Sequence, residues 1–158
     1  MLELSDKGKT LRVGFIAEDA ERYYELNNVE LMERNQRIPD LKMQACVHLQ
    51  SNLFAQLIED VDAVGESVSL LAEYNSVTIS GESEYNNYHS TLTPNLDVPS
   101  PQRAKYSIEY LKKIIEASNI SRNAFIEWSK DYPLRITYQN PVAGISLVFI
   151  LAPRIDAV

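Results

Sequence analysis

Among its 158 residues the chain has one cysteine, two histidines, one tryptophan and five glycines. With Cys46 alone, neither an internal disulfide nor a cysteine zinc cluster is possible. The few scattered glycines form no phosphate-cradling loop, and neither a His-Glu zinc motif nor a calcium loop occurs. His48 and His89 fall in different strand-like runs, so no metal site and no cofactor is expected. No apolar run approaches the ~18 residues of a membrane span. The start, Met1 to Asp6, lacks the basic-then-apolar pattern of a signal peptide. The chain therefore reads as intracellular, without a membrane partner. Positive charge is also short: 15 Lys and Arg stand against 22 Asp and Glu, a net charge of -7. That balance argues against a protein that coats DNA, while leaving room for a local basic face.

What is present is a pattern stated twice. Residues 43–92 give an alternating run, a helix opening at Ser51, and three strand-like runs. Residues 104–155 repeat that order, with a helix opening at Ser107, at an offset of roughly 55 residues. In the first copy Ser51 is expected to cap a helix reaching about Val64, with Gly65 as its stop. Leu53, Phe54, Leu57, Ile58, Val61 and Val64 form its apolar stripe. In the second copy Ile108, Leu111, Ile114 and Ile115 face inward. Thr93 to Gln102, with three prolines, reads as a surface loop joining the copies. The fold class is α+β: two β-α-β-β-β repeats with helices on one face of antiparallel sheet. Ahead of them, residues 1–31 read as an N-terminal hairpin and residues 32–42 as an extended connecting loop, with Pro39 holding Ile38 extended.

Catalytic chemistry finds no support, so the chain reads as a non-enzyme. Cys46, between Ala45 and Val47 in a strand-like run, reads as a buried structural thiol. Glu59 and Asp60 read as a solvated helix face rather than an acid-base pair. The tyrosine clusters Tyr23-Tyr24 and Tyr85 to Tyr88 read as strand packing or interface rather than a stacking platform for nucleobases.

Three segments carry a resemblance: Lys105 to Lys113 (KYSIEYLKK), Lys130 to Leu134 (KDYPL) and Leu151 to Ile155 (LAPRI). Together and in this order they resemble the second domain of sliding clamps, the proliferating cell nuclear antigen family of archaeal or eukaryotic type. The likeness covers about residues 10–155, with Ile38-Pro39-Asp40 similar to the end of that family's connecting loop. Most of the family's first domain has no counterpart here, and residues 1–31 resemble only its closing hairpin.

The resemblance implies a scaffold for DNA replication and repair, with subunits closing a ring around duplex DNA. Clients such as DNA polymerase would dock short peptides in a groove formed by Leu31, Ile38, Ser107, Pro133, Ile150, Ala152 and Pro153. It implies a subunit interface at Tyr23, Tyr24, Leu26, Tyr85, Tyr88 and Leu92, and hence a homo-oligomer. DNA-facing cations would be Lys42, Arg103, Lys105, Lys112 and Lys113. One departure concerns charge: the two helices carry Glu59, Asp60, Asp62, Glu109 and Glu116 against Lys112 and Lys113 alone. A phosphate backbone would be repelled unless Arg103, Lys105, Arg122 or Lys42 compensates. Two further readings follow: a modulator that joins or caps full-length clamps without encircling DNA, and a fragment or internal-start product of a longer clamp.

Overall fold

The computed structural model describes residues 2–5, 10–27 and 40–154. The chain divides into two compact units, residues 1–39 and 40–158, a boundary that falls inside the expected connecting loop. The first unit is a three-stranded antiparallel meander of β1 (Leu2–Ser5), β2 (Thr10–Ala17) and β3 (Ala20–Asn27), one strand more than a hairpin. Strand alternation divides its residues by character. Leu4, Leu11, Val13, Phe15, Tyr24 and Leu26 share one face, by the pairings Leu4↔Leu11↔Leu26 and Val13↔Tyr24. On the other face Arg12 pairs with Glu25 at 2.7 Å and lies 4.7 Å from the ring centre of Tyr23.

The second unit holds the duplicated pattern. Its strands are β4 (Ala45–Gln50), β5 (Ser67–Glu73), β6 (Ser76–Glu82), β7 (Asn87–Leu92), β8 (Gln102–Ser107), β9 (Asn123–Trp128), β10 (Leu134–Asn140) and β11 (Ile145–Leu151). Helix α1 (Ser51–Asp62) follows β4, and α2 (Ile108–Ile115), continued by a 3₁₀ turn Glu116–Ile120, follows β8. The two repeats do not form separate sheets. One sheet runs β11-β10-β9-β4 and the other β7-β6-β5-β8, so each repeat lends its first strand to the other. Ala45 lies opposite Trp128 and Gln50 opposite Asn123; Ser67 lies opposite Ser107 and Ala72 opposite Gln102.

That exchange also starts the helices. The Ser51 amide donates to the Arg122 carbonyl (2.9 Å) and the Ile108 amide to the Glu66 carbonyl (3.1 Å). Each helix thus has its first free N–H satisfied by the backbone just before the strand its own leading strand pairs with. The expected serine cap is not used: Gln50 occupies the cap position of α1, with no side-chain cap bond. The Ser51 hydroxyl is buried without a hydrogen-bond partner among the described residues. Gly65 has a different role from the expected helix stop. Its φ lies outside the left-handed region, and a Cβ there would sit 2.6 Å from the Glu82 carbonyl oxygen. Glycine is needed because β6 passes too close for any side chain.

Inward residues of both sheets and both helices merge into one core around Trp128, Tyr106, Tyr138 and Phe54, each at most 1% exposed. The loop between repeats contributes Leu96 and Val98 to that core, so it is a packed strap rather than a surface loop. Cys46 is exposed on the outward side of β4, against the expected buried thiol, because burial along that strand falls on Ala45 and Val47.

Two outcomes follow from this packing. Gly65→Ala must displace the Glu82 backbone, so urea unfolding should show about 1–3 kcal/mol lost. The buried Tyr138 hydroxyl has no partner among the described residues, whereas that of Tyr106 donates to the Tyr132 carbonyl at 2.8 Å. Tyr138→Phe should therefore be neutral or stabilising, and Tyr106→Phe should cost about 1 kcal/mol. Burial pushes the Tyr138 pKa up to about 12. Its contribution is complete below the ordinary value of about 10 and is lost as pH rises from there towards 12. Thermal melts across that range should show a shallower alkaline loss for Tyr138→Phe.

Candidate docking surface and the helix face

The expected docking residues lie mainly where β10 and β11 meet. Leu134 pairs with Leu151 and Arg135 with Ile150, so Pro133 and Ala152 both flank the end of this ladder. Ile150 is 40% exposed on the outward face of β11, and Ala152 is exposed beside half-buried Pro153. The segment then crosses to the other sheet, where the Arg154 amide donates to the Lys105 carbonyl at 2.7 Å. The Arg154 guanidinium reaches the Glu66 carbonyl at 3.3 Å. Ser107, two residues after Lys105, lines a cleft with Arg154, Asp62 and Glu66. Pro133, Ile150, Ala152 and Pro153 thus form a short apolar strip, with Ser107 at a neighbouring cleft. Leu31 and Ile38 lie outside the described residues.

The turn that carries Pro133 is held from both sides. Tyr106 donates to the Tyr132 carbonyl from the core, and the Asp131 amide donates to the Arg103 carbonyl on β8. Burial first, and then the Asp131 charge, raises the Tyr106 pKa well above the ordinary tyrosine value, so this donor stays protonated. Gln102 completes the anchorage: its side-chain oxygen accepts from the Lys130 amide (2.9 Å) and its carbonyl from the Trp128 indole (3.0 Å). Sequence reading placed Gln102 at the end of a loop. Alternation could have found it, since Gln102, Ala104 and Tyr106 share the inward parity of β8.

Beside the strip, the outward face of the β11-β10-β9-β4 sheet places Cys46, Glu127, Arg135 and Ile150 in one row by register. Arg135 grips Glu127 with two bonds of 2.6 and 2.7 Å. Partial burial, with the charge of Glu127, raises the Cys46 pKa, which keeps thiolate scarce at neutral pH.

The five expected DNA-facing cations fall into separate groups. Lys112 and Lys113 are on the exposed side of α2, while Arg103 and Lys105 point to the opposite side of β8 from buried Ala104 and Tyr106. Lys42 precedes β4. On the helix side both lysines are already engaged: Lys112 bridges to Asp62 of α1 at 2.6 Å, and Lys113 pairs with Glu109 at 3.1 Å. Asp62 raises the Lys112 pKa by hydrogen bond and by charge. Glu59 and Glu116 remain exposed on the same helices. A phosphate backbone approaching this face meets lysines already paired with carboxylates and an excess of negative charge.

The expected interface residues also differ in role. Tyr85 is 85% exposed, and Tyr23, Tyr24 and Leu26 are exposed in the first unit. Tyr88 turns inward, donating to Asp60 of α1 at 3.0 Å, and Leu92 packs on the core. These two brace the edge strand β7 rather than projecting from it. No cluster of metal-ligating side chains is found among the described residues, and no helix there is long and apolar enough to cross a membrane.

The comparisons with known proteins agree with this architecture. The family profile for proliferating cell nuclear antigen, C-terminal domain, matches residues 37–155. A DNA polymerase sliding clamp of Nanoarchaeum equitans is 34% identical over 126 residues, which cover 75% of this chain and 50% of that protein. DNA polymerase sliding clamp 2 of Sulfurisphaera ohwakuensis is 30% identical over 122 residues, covering 74% and 49%. The DNA polymerase sliding clamp of Methanococcus vannielii is 24% identical over 166 residues, covering 99% and 66%. The chain spans about half the length of the first two of these relatives and two thirds of the third. With two interlocked repeats, a helix pair on one side and a profile match across nearly the whole second unit, the chain belongs to the proliferating cell nuclear antigen family of DNA sliding clamps.

Proposed function

We propose that this chain is a non-enzymatic clamp module of DNA replication and repair that docks short peptides of DNA polymerase and other clamp-binding proteins. The observation that carries this reading is the apolar strip at Pro133, Ile150, Ala152 and Pro153. It sits on a turn braced by Tyr106 and Gln102, and a pre-ordered apolar surface suits extended peptides bearing apolar anchors. Assembly would use sheet edges, since β7 and β11 are terminal strands of their sheets. Tyr85, Tyr23, Tyr24 and Leu26 supply exposed apolar surface for such contacts.

A second reading is favoured by the helix face: a module that joins full-length clamps without itself gripping duplex DNA. Lys112 and Lys113 are spent on Asp62 and Glu109, so little positive charge remains to release counterions from a duplex.

Light scattering after size exclusion should show oligomers whose fraction rises with concentration; monomer alone at high concentration would remove the assembly claim. Mixing with a full-length archaeal clamp should give a heteromer under the second reading, and its absence would eliminate that version. Fluorescence anisotropy with a duplex should give weak binding and a shallow salt dependence. Asp62→Asn with Glu59→Lys should tighten it by about tenfold and steepen the slope. Steep salt-dependent binding by the unaltered chain would overturn the view that its helices do not hold DNA.

A further inference from the structure

The cations absent from the helix face gather elsewhere. The β9–β10 turn, β8 and the segment after β11 are tied together by the Asp131 to Arg103 and Arg154 to Lys105 backbone bonds. Their junction surrounds a cavity of about 420 Å³ lined by Ser69, Glu82, Arg103, Lys105, Asp131 and Arg154. A smaller cavity of about 130 Å³ adjoins it, sharing Ser69, Glu82, Arg103 and Lys105 and adding Ser80 and His89. Lys130 is exposed immediately before Asp131. Arg103, Lys130 and Arg154 take part in none of the described ion pairs. In a chain of net charge -7, this concentration at one rim is a local reversal of sign.

The rim is continuous with the docking strip, because Asp131 is two residues from Pro133 and Arg154 adjoins Pro153. We infer that the strip and this basic rim form one site, and that its partner peptide carries a run of Asp or Glu beside its apolar anchor. This inference rests on the peptide-docking reading and adds the chemistry of the flank. Three features favour a carboxylate-bearing peptide over nucleic acid. Glu82 and Asp131 break the cations into spaced positions instead of a continuous phosphate track. No Phe, Tyr or Trp ring lines either cavity, and the imidazole of His89 in the smaller one is a poor platform for a run of stacked bases. Ser69 and Ser80 offer hydroxyl donors at the spacing of adjacent strands.

The test uses anisotropy on the full chain with four labelled probes: an apolar Leu-Phe-Phe anchor with about six flanking glutamates in either order, its glutamine counterpart, the glutamate run alone, and a dT oligomer of about twelve nucleotides. Partly screened charge pairs predict that the anchored glutamate peptide binds about tenfold tighter than its glutamine counterpart in about 50 mM salt. That advantage should vanish in about 500 mM salt. Arg103→Gln with Lys130→Gln, both at exposed positions, should erase it while leaving the glutamine peptide unchanged; circular dichroism verifies the fold. Equal affinity of the two anchored peptides overturns the acidic flank and leaves peptide docking standing. Equal affinity of the anchored and anchorless glutamate peptides removes the strip, and the shared site with it. Binding by none of the peptides removes both readings. Tighter binding of the dT oligomer, in competition with the glutamate peptide, reassigns the rim to nucleic acid and overturns the inference.

Discussion

Gln102 is a polar side chain on the inward side of a strand, 2% exposed, and a buried amide left unpaired costs about 1–3 kcal/mol. Its nitrogen donates to Ser100 in the proline-rich strap, and its oxygen accepts from Lys130 in the β9–β10 turn. Its own carbonyl receives the indole of Trp128, the largest fully buried side chain. One residue therefore fixes the strap, the exchanged strand β8, the core tryptophan and the turn that carries Pro133. The turn that carries Pro133 is placed in part by satisfying this amide. A replacement that left these partners unpaired would disturb four elements together, because they share one network.

Charge is arranged with equal economy. On the helix side, the Lys112–Asp62 bridge links α1 to α2 and leaves the surface acidic. On the opposite side of β8, Arg103 and Lys105 face outward and join Arg154 and Lys130. The same parity that buries Ala104 and Tyr106 sends those cations away from the helices. Two surfaces of opposite sign in a small unit would favour partners of opposite charge on its two sides.

Much of the fold was legible because periodicity is a local signal. The helix beginning at Ser51 and the strands at Leu134 and Ile145 emerge from spacing alone. The exchange of β4 and β8 between sheets was not legible, since pairing across distant segments leaves no mark in either segment. Gly65 was misread for a related reason: its constraint is the Glu82 carbonyl from another strand, whereas the sequence shows only a glycine after a helix. Cys46 was misread because its own apolar character was weighed above the alternation, in which Ala45 and Val47 take the inward phase and send Cys46 outward with His48. Among the site residues, Pro133, Ile150, Ala152 and Pro153 are brought together, whereas of the expected DNA contacts Lys112 and Lys113 lie on one side of the second unit and Arg103 and Lys105 on the other. Charge at a position can be counted from sequence; the side on which it emerges depends on register.

The exchange of leading strands also bears on how such a chain arises and folds. A single repeat on its own would leave its first strand without a ladder and the first amide of its helix open. Two copies of one repeat would repair each other's deficits in the same manner, so the minimal stable form is a pair, whether fused or separate. Fusion replaces an encounter between molecules by the closing of a loop, whose entropy grows only slowly with length. The cost reappears in time. Ala45 must wait for Trp128, past the helix of the second repeat, before β4 has anything to pair with, so topology of this kind makes for late closure and slow folding.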